Sequence, residues 1–144
     1  MMWKTEYSAT TDLPVRAVWN ALRDVHTGVV ASGGGDVFEI HGPYELGTEL
    51  SVTPQGQETF RSVIVELVED QTYADRTEFN GLELTFRHRF QPGGDGLTVT
   101  HELIIDGPGV DEIGPELGPQ ISADFPDAMK SLFDIASRPQ SAPA

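Results

Sequence analysis

Residues 36–106 contain six strand-like runs with no helical pattern between them, and this region constrains the fold more than any other part of the sequence. Turn residues separate the runs, which cover 36–41, 47–53, 59–69, 72–79, 82–91 and 96–106. Parallel strands need long crossover connections, and these short turns cannot supply them. The region therefore predicts an antiparallel meander.

Asn80-Gly81 marks a two-residue hairpin turn, which fixes the pairing of the strands on either side. The pairs expected there are Phe79 with Leu82, Thr77 with Leu84, Asp75 with Phe86, and Tyr73 with His88. Across the next turn, at 92–96, the best apolar match on one face gives Phe90 with Val99, His88 with His101, Phe86 with Leu103, and Leu84 with Ile105. One face is thus apolar, with five polar interruptions: Tyr73, Asp75, Thr77, His88 and His101.

The opposite face of these strands reads as a solvated surface with an Arg87–Glu102 cross-strand pair. Its other members are Arg89, Thr85, Thr98 and Thr100. The facing of residues 47–69 stays open, because two apolar sets compete for the inner side. These sets are Val63, Val65 and Leu67 against Phe60, Ile64 and Val68.

The N-terminal residues predict a strand followed by a short helix. Alternation of Trp3, Thr5, Tyr7 and Ala9 with polar residues is typical of a half-buried strand. We expect the helix to begin with Asp12 as N-cap and Pro14 in its first turn, and to end at Asp24 or Val25. The glycine-rich residues 32–36 then predict a loop.

The C-terminal region predicts a long helix that covers the apolar face. Its apolar residues fall three or four apart: Leu117, Ile121, Phe125, Ala128, Leu132 and Ile135. Pro126 removes a backbone hydrogen bond, so we expect a kink or break near Phe125. We interpret residues 1–138 as a single domain and 139–144 as a disordered tail.

The chain is acidic, with 23 acidic and nine scattered basic residues and a net charge of −14. Nucleic acids and anionic membranes require clustered basic side chains, so we expect neither as a partner. The chain has no cysteine, which excludes disulfides, thiol nucleophiles and thiolate metal sites. No apolar run approaches the ~18 residues of a membrane span and no signal-peptide pattern opens the chain, so we expect a cytoplasmic protein without membrane insertion.

Three stretches resemble the START-like superfamily, also labelled SRPBCC, which includes polyketide cyclase/dehydrase-like proteins and the birch-pollen allergen. They are residues 13–24 (LPVRAVWNALRD), 42–48 (GPYELGT) and 96–102 (GLTVTHE). No single stretch is specific, but their order is, and together with the C-terminal helix they cover nearly the whole chain.

The resemblance implies an α+β helix-grip fold. In that fold a seven-stranded curved antiparallel sheet wraps around a long C-terminal helix, a short helix follows the first strand, and a ligand cavity lies between sheet and terminal helix. The glycine-rich residues 32–36 leave room for only a short second helix, where the family often has a full one. The superfamily includes lipid and hormone binders, cyclases and co-chaperone-like proteins, so the fold leaves the function open.

Our leading interpretation is a cavity that binds a small hydrophobic or aromatic molecule without a cofactor. The expected polar contacts are Tyr73, Asp75, Thr77, His88 and His101, and the expected apolar walls are Phe86, Phe90, Leu103, Phe125 and Leu132. A buried Asp75 needs a partner, which Arg61 or a histidine would provide; the alternative is that a sheet edge exposes Asp75 to water.

Two other functions stay open. In a polyketide cyclase or dehydratase, His88 or His101 would act as acid or base, with Asp75 as a further catalytic candidate. A protein-interaction module, as among the co-chaperone-like relatives, would instead display an exposed apolar patch. The resemblance is also compatible with a homodimer, although nothing in the sequence predicts its interface.

A metal site is the least supported alternative. His88, His101 and Asp75 have the side chains that zinc or iron would accept, but placement on adjacent strands is weak evidence, and we predict no metal. His41 lies on a strand whose register the sequence does not fix. We favour a surface or strand-end position for it.

Overall fold

The computed structural model describes residues 2–29, 37–53, 56 and 58–138. The elements in chain order are β1 (Met2–Thr11), α1 (Val15–His26), β2 (Val37–Ile40), β3 (Glu49–Thr53), β4 (Phe60–Val68), β5 (Thr72–Phe79), β6 (Leu82–Gly93), β7 (Gly96–Asp106), α2 (Val110–Ser122) and α3 (Phe125–Ser137). The predicted glycine-rich loop at 32–36 and tail at 139–144 lie outside the described residues.

The seven strands form one antiparallel sheet in the order β1-β7-β6-β5-β4-β3-β2. Asn80 and Gly81 both have positive φ, 50° and 82°, as a tight hairpin turn between right-twisted strands requires. The predicted pairs across this turn, and those between β6 and β7, are confirmed. The row Tyr73, His88, His101 therefore crosses three adjacent strands.

Strand β4 contains a bulge that explains why its facing could not be read from the sequence. Ile64 pairs with Asp75, but the register then shifts so that Glu66 pairs with Ala74 and Leu67 with Tyr73. The extra residue reverses the alternation of sides. Ile64 faces inward before the bulge and Leu67 after it, so each of the two competing apolar sets contributes to the inner face.

Helix α1 differs from the prediction at both ends. Pro14, with extended backbone, occupies the N-cap position, so the assignment of Asp12 as N-cap is wrong. The helix continues through His26, past the predicted end at Asp24 or Val25. This extension adds one inward-facing polar side chain to the interior.

The C-terminal helical segment is interrupted where the sequence predicts it. Helix α2 ends at Ser122, and α3 begins at Phe125 with Pro126 in its first turn, where a missing backbone N–H costs nothing. The assignment of Ala128 to the inner side is wrong, because Ala128 is exposed and Met129 is buried instead. Two turns of α3 thus face the sheet through Met129 and Leu132.

The interior between sheet and helices contains two apolar clusters. We refer to the first as the α1/α3 cluster, whose members include Val18, Trp19, Leu50, Phe90, Val99, Met129 and Leu132. The second, the α2 cluster, contains Leu82, Leu84, Leu103, Ile105, Val110 and Phe125. The seven-stranded sheet, the helix after β1 and the terminal helical segment confirm the expected helix-grip architecture.

The outer face of the sheet is less solvated than predicted. Arg87 Nη1 lies 2.9 Å from Glu102 Oε1, which confirms the predicted pair. However, the Glu102 side chain is only 2% exposed, because Lys4 and Arg89 also converge on it, at 2.8 and 3.4 Å. Thr85 and Thr100 are buried as well. The basic side chains of Lys4, Arg87 and Arg89 therefore cover part of the outer face that the sequence predicted to be solvated.

Candidate functional site

Five polar side chains lie together on the inner side of the fold, and we refer to them as the polar band: Tyr73 and Asp75 from β5, His88 from β6, His101 from β7 and His26 from the last turn of α1. The strand residues meet because the Asn80-Gly81 hairpin sets their register. Four of the five are less than 9% exposed, and His88 is partly exposed. This is a polar site within an otherwise apolar interior.

His26 has a defined tautomer. Its Nδ1 lies 2.9 Å from the carbonyl oxygen of Leu22, and a carbonyl can only accept, so Nδ1 carries the hydrogen. The other ring nitrogen, Nε2, therefore has a free lone pair. It faces Asp75 Oδ2 at 3.9 Å, which is too long for a direct hydrogen bond.

Asp75 is only 4% exposed, so the alternative that a sheet edge exposes it is wrong. The hydroxyl of Tyr73 donates a 2.8 Å hydrogen bond to Asp75 Oδ2. The predicted partner Arg61 is also wrong, because its guanidinium lies beside Glu49 on the exposed side of the sheet. The histidine nearest to the carboxyl is His26, which the sequence did not indicate.

The imidazoles of His88 and His101 are direct neighbours, with ring centroids 4.2 Å apart and planes at 76°. Their atoms His88 Nδ1 and His101 Nε2 are buried and have no hydrogen-bond partner among the described residues. The same holds for the hydroxyl of Tyr44, whose ring stacks on Tyr73 at 5.8 Å. Three buried polar atoms in or beside the polar band thus form no hydrogen bond with the described residues.

Burial sets the protonation of the band. It lowers the pKa of both His26 and His101 to about 4, and that of His88 well below its ordinary value. Burial also raises the pKa of Asp75 to about 7, although the Tyr73 hydrogen bond opposes this shift. At neutral pH the imidazoles are uncharged, and a large fraction of Asp75 is protonated.

The remaining predicted contacts lie on either side of the band. Thr77 is buried, and its hydroxyl hydrogen-bonds to that of Ser62. The predicted walls are divided between the clusters: Phe86, Leu103 and Phe125 pack in the α2 cluster, and Phe90 and Leu132 in the α1/α3 cluster.

Several side chains of the inner face remain partly exposed. Phe86 and His88 are partly exposed, although they point inward from β6, which has strands on both sides. Leu117 and Ile121 of α2, which pack against the α2 cluster, are also only partly buried. The helices therefore do not close completely over the sheet.

A separate open groove of about 380 Å³ lies between β1 and α3. It is lined by Tyr7, Ala9, Thr10, Pro126, Met129, Lys130, Phe133 and Asp134. Tyr7, which lines this groove, pairs directly with His101 in the sheet register, so the groove lies beside the strand position of His101. The groove was not predicted, because it depends on how α3 lies against the edge strand.

Two functional candidates, His26 and Tyr44, escaped sequence reasoning. His26 continues the buried face of α1, since it follows Leu22 by four residues and Trp19 by seven. Extending the helical pattern by one residue would have found it. Tyr44 lies in the irregular segment between β2 and β3, where no periodicity indicates which side a residue faces.

Other sequence candidates lie away from the band or form no metal site. His41 is a surface residue just after β2, as favoured, and its Nε2 bonds to Ser51 Oγ at 2.6 Å. No group of three or more histidine or carboxylate side chains in the described part of the chain is arranged to hold a metal ion. No helix among the described residues is both long and apolar enough to cross a membrane.

No family model and no curated protein matches the sequence. Similarity to solved structures establishes the fold instead, which is the helix-grip fold. Ara h 8.0201 aligns with a TM-score of 0.71 and 15% identity over 96% of this chain and 100% of its own.

Two enzymes have similar structures. The di-domain ARO/CYC StfQ from the steffimycin biosynthetic pathway aligns with a TM-score of 0.69 and 12% identity, over 94% of this chain and 49% of its own. A point mutant of norcoclaurine synthase from Thalictrum, bound to a transition-state analogue, aligns with a TM-score of 0.68 and 13% identity, over 95% and 98%. At these identities the likeness establishes the fold alone.

Proposed function

We propose that this protein binds a small hydrophobic or aromatic molecule between the sheet and the C-terminal helical segment, with a polar group of the ligand at the polar band. The observation that carries the proposal is the pair of neighbouring imidazoles, His88 and His101, each with a buried nitrogen that has no partner among the described residues. Such an atom costs about 1–3 kcal/mol. A ligand that supplies the missing partners removes this cost.

The surroundings of the band support the proposal. Apolar clusters on both sides would provide most of the affinity through burial, and a few placed polar groups would orient the ligand. The groove between β1 and α3 would serve as an entrance, since Tyr7, which lines it, is the strand partner of His101. A norcoclaurine synthase of similar fold has been observed with a small molecule bound.

The neutral fluorescent probe N-phenyl-1-naphthylamine tests this function. We expect saturable binding with enhanced emission, and we expect Phe86→Trp to weaken it at least tenfold by filling the space at the inner face. Glu83→Trp is the matched control, because Glu83 is exposed on the same strand. Absence of saturable binding, or equal weakening by both variants, would contradict the proposal.

A second candidate is an enzyme of the cyclase or dehydratase type, and the protonation of Asp75 favours it. A carboxyl with a pKa of about 7 is well matched to proton transfer at neutral pH. We expect the protein to speed exchange of the acidic C–H protons of 2-tetralone in deuterated water, and Asp75→Leu to abolish that exchange. Binding of 2-tetralone without faster exchange would leave the protein a carrier.

A further inference from the structure

His26 and Asp75 face each other in the polar band at a distance that one bridging oxygen atom would span. Their facing atoms, Nε2 and Oδ2, lie 3.9 Å apart. An oxygen placed to one side of the line between them reaches both at about 2.8 Å, an ordinary hydrogen-bond length. Both side chains are more than nine-tenths buried, so bulk water does not fill this role freely.

The hydrogen-bonding capacities of the two side chains differ. Nε2 of His26 can only accept, because the ring hydrogen on Nδ1 is held by the Leu22 carbonyl. Oδ2 of Asp75, the oxygen that faces His26, accepts from Tyr73, and it can also donate when it carries the carboxyl proton. With the proton on Oδ2, the atom between them donates to His26 and accepts from Asp75.

A hydroxyl group meets this requirement, because it has one hydrogen to donate and lone pairs to accept. A carbonyl oxygen, an ether oxygen or a carboxylate has no hydrogen and would leave Nε2 without a partner. A carboxylate would also place a negative charge among uncharged imidazoles in an apolar interior, at a cost of several kcal/mol. An ammonium group could donate to both, but only to ionised Asp75.

We propose that His26 and Asp75 form a subsite for a hydroxyl group, so that the ligand of this protein is an apolar, aromatic-sized molecule bearing a phenol-type or alcohol hydroxyl. The inference rests on the proposed binding function and adds the chemical class of the ligand. The hydroxyl donates to Nε2 of His26 and accepts from the carboxyl of Asp75. Tyr73 acts as a positioning residue, since its hydroxyl holds the carboxyl in place.

The test compares three probes of similar shape by displacement of N-phenyl-1-naphthylamine at pH 6: 2-naphthol, 2-methoxynaphthalene and naphthalene. We expect 2-naphthol to bind at least tenfold more tightly than the other two, since only it satisfies both buried groups. Three probes that bind equally overturn the hydroxyl subsite and leave the binding function standing. No binding of any probe contradicts the binding function itself.

Variants locate the subsite. His26→Phe keeps the ring but removes the acceptor, and Asp75→Leu removes the donor, so each should abolish the preference for 2-naphthol. Asp75→Asn should weaken it, because no single amide atom at the position of Oδ2 can both donate to the ligand and accept from Tyr73. His41→Gln, at an exposed histidine, is the control and should leave the preference unchanged. A preference that survives both His26→Phe and Asp75→Leu overturns the assignment.

A crystal structure of the unmodified protein with 2-naphthol keeps the proposal testable if a variant fails to fold. The naphthol oxygen should lie within hydrogen-bond distance of both His26 Nε2 and the Asp75 carboxyl. An oxygen elsewhere in the interior overturns the subsite. Tighter binding of 2-naphthylmethylammonium than of 2-naphthol would overturn it too, because that result requires ionised Asp75.

Discussion

The indole of Trp3 in β1 lies so close to α2 that Gly118 has no room for a side chain. A β-carbon at Gly118 would overlap Cζ3 of Trp3. Glycine therefore stands in the middle of a helix, despite its poor helix propensity, because the ring of Trp3 needs the space. This contact attaches α2 to the edge strand of the sheet.

We predict that Gly118→Ala lowers the free energy of unfolding by about 2–4 kcal/mol through overpacking, although alanine is the better helix former. Chemical denaturation measures the effect. Combined with Trp3→Leu, Gly118→Ala should cost much less than it does alone, because the ring it meets is gone. Gly94→Ala is the control, since nothing lies within 4 Å of a β-carbon there. Additive costs for Trp3→Leu and Gly118→Ala would refute the contact.

Asp75→Asn should stabilise the protein progressively as pH rises from about 4 to about 7. Burial raises the pKa of Asp75 to about 7, so the folded protein holds a proton that the unfolded chain releases near pH 4. Stability due to this proton is present at low pH and is lost as pH rises through 7. The variant should gain on the order of 3 kcal/mol relative to the unmodified protein between pH 4 and pH 8.

Unfolding measured at several pH values tests this prediction, with Asp95→Asn in an exposed turn as the control. A constant difference between Asp75→Asn and the unmodified protein across this range would mean that Asp75 is ionised throughout.

His101→Gln should reduce the loss of stability in acid. Burial lowers the pKa of His101 to about 4. Below about pH 6.5 the unfolded chain therefore binds a proton at this residue that the folded protein does not bind. The unmodified protein therefore loses up to about 3 kcal/mol from this group as pH falls from 6.5 to 4. The variant should escape that loss, whereas His41→Gln should behave like the unmodified protein. Parallel pH profiles for all three proteins would contradict the burial of a neutral imidazole.

Glu102→Gln should lower the free energy of unfolding by about 1–2 kcal/mol at neutral pH, because three cations would lose their common carboxylate. The expected loss of stability is small because Lys4 is 48% exposed, so water screens its charge. The control is Glu69→Gln, whose side chain is 67% exposed and pairs only at the surface, and we expect almost no effect. Equal effects of the two variants in thermal unfolding would refute the importance of the buried carboxylate.

The pairing of β5, β6 and β7 could be predicted because short local sequence features determine the strand register. Asn80-Gly81 sets the turn, and alternation then carries the pairing from Tyr73 through His88 to His101. The bulge in β4 could not be foreseen, because one inserted residue leaves no mark other than two competing apolar sets. A sequence pattern indicates which side of a sheet a residue faces only while the two-residue alternation of the strand is unbroken.

The candidate site was predicted in part for a related reason. Strand residues of the polar band follow from the hairpin, whereas His26 and Tyr44 come from a helix end and an irregular segment. The partner of Asp75 is a tertiary property: it depends on where α1 crosses the sheet, and no local pattern records that. Arg61 was a reasonable candidate by charge, but it lies on the opposite face.

Histidine-selective NMR during titration with 2-naphthol shows whether a ligand reaches the polar band, since the resonances of each imidazole are followed separately. We predict that resonances of His26, His88 and His101 move together and saturate, while those of His41 stay in place. Saturable binding that leaves all three interior imidazoles unchanged would contradict it, because the ligand would then lie outside the polar band.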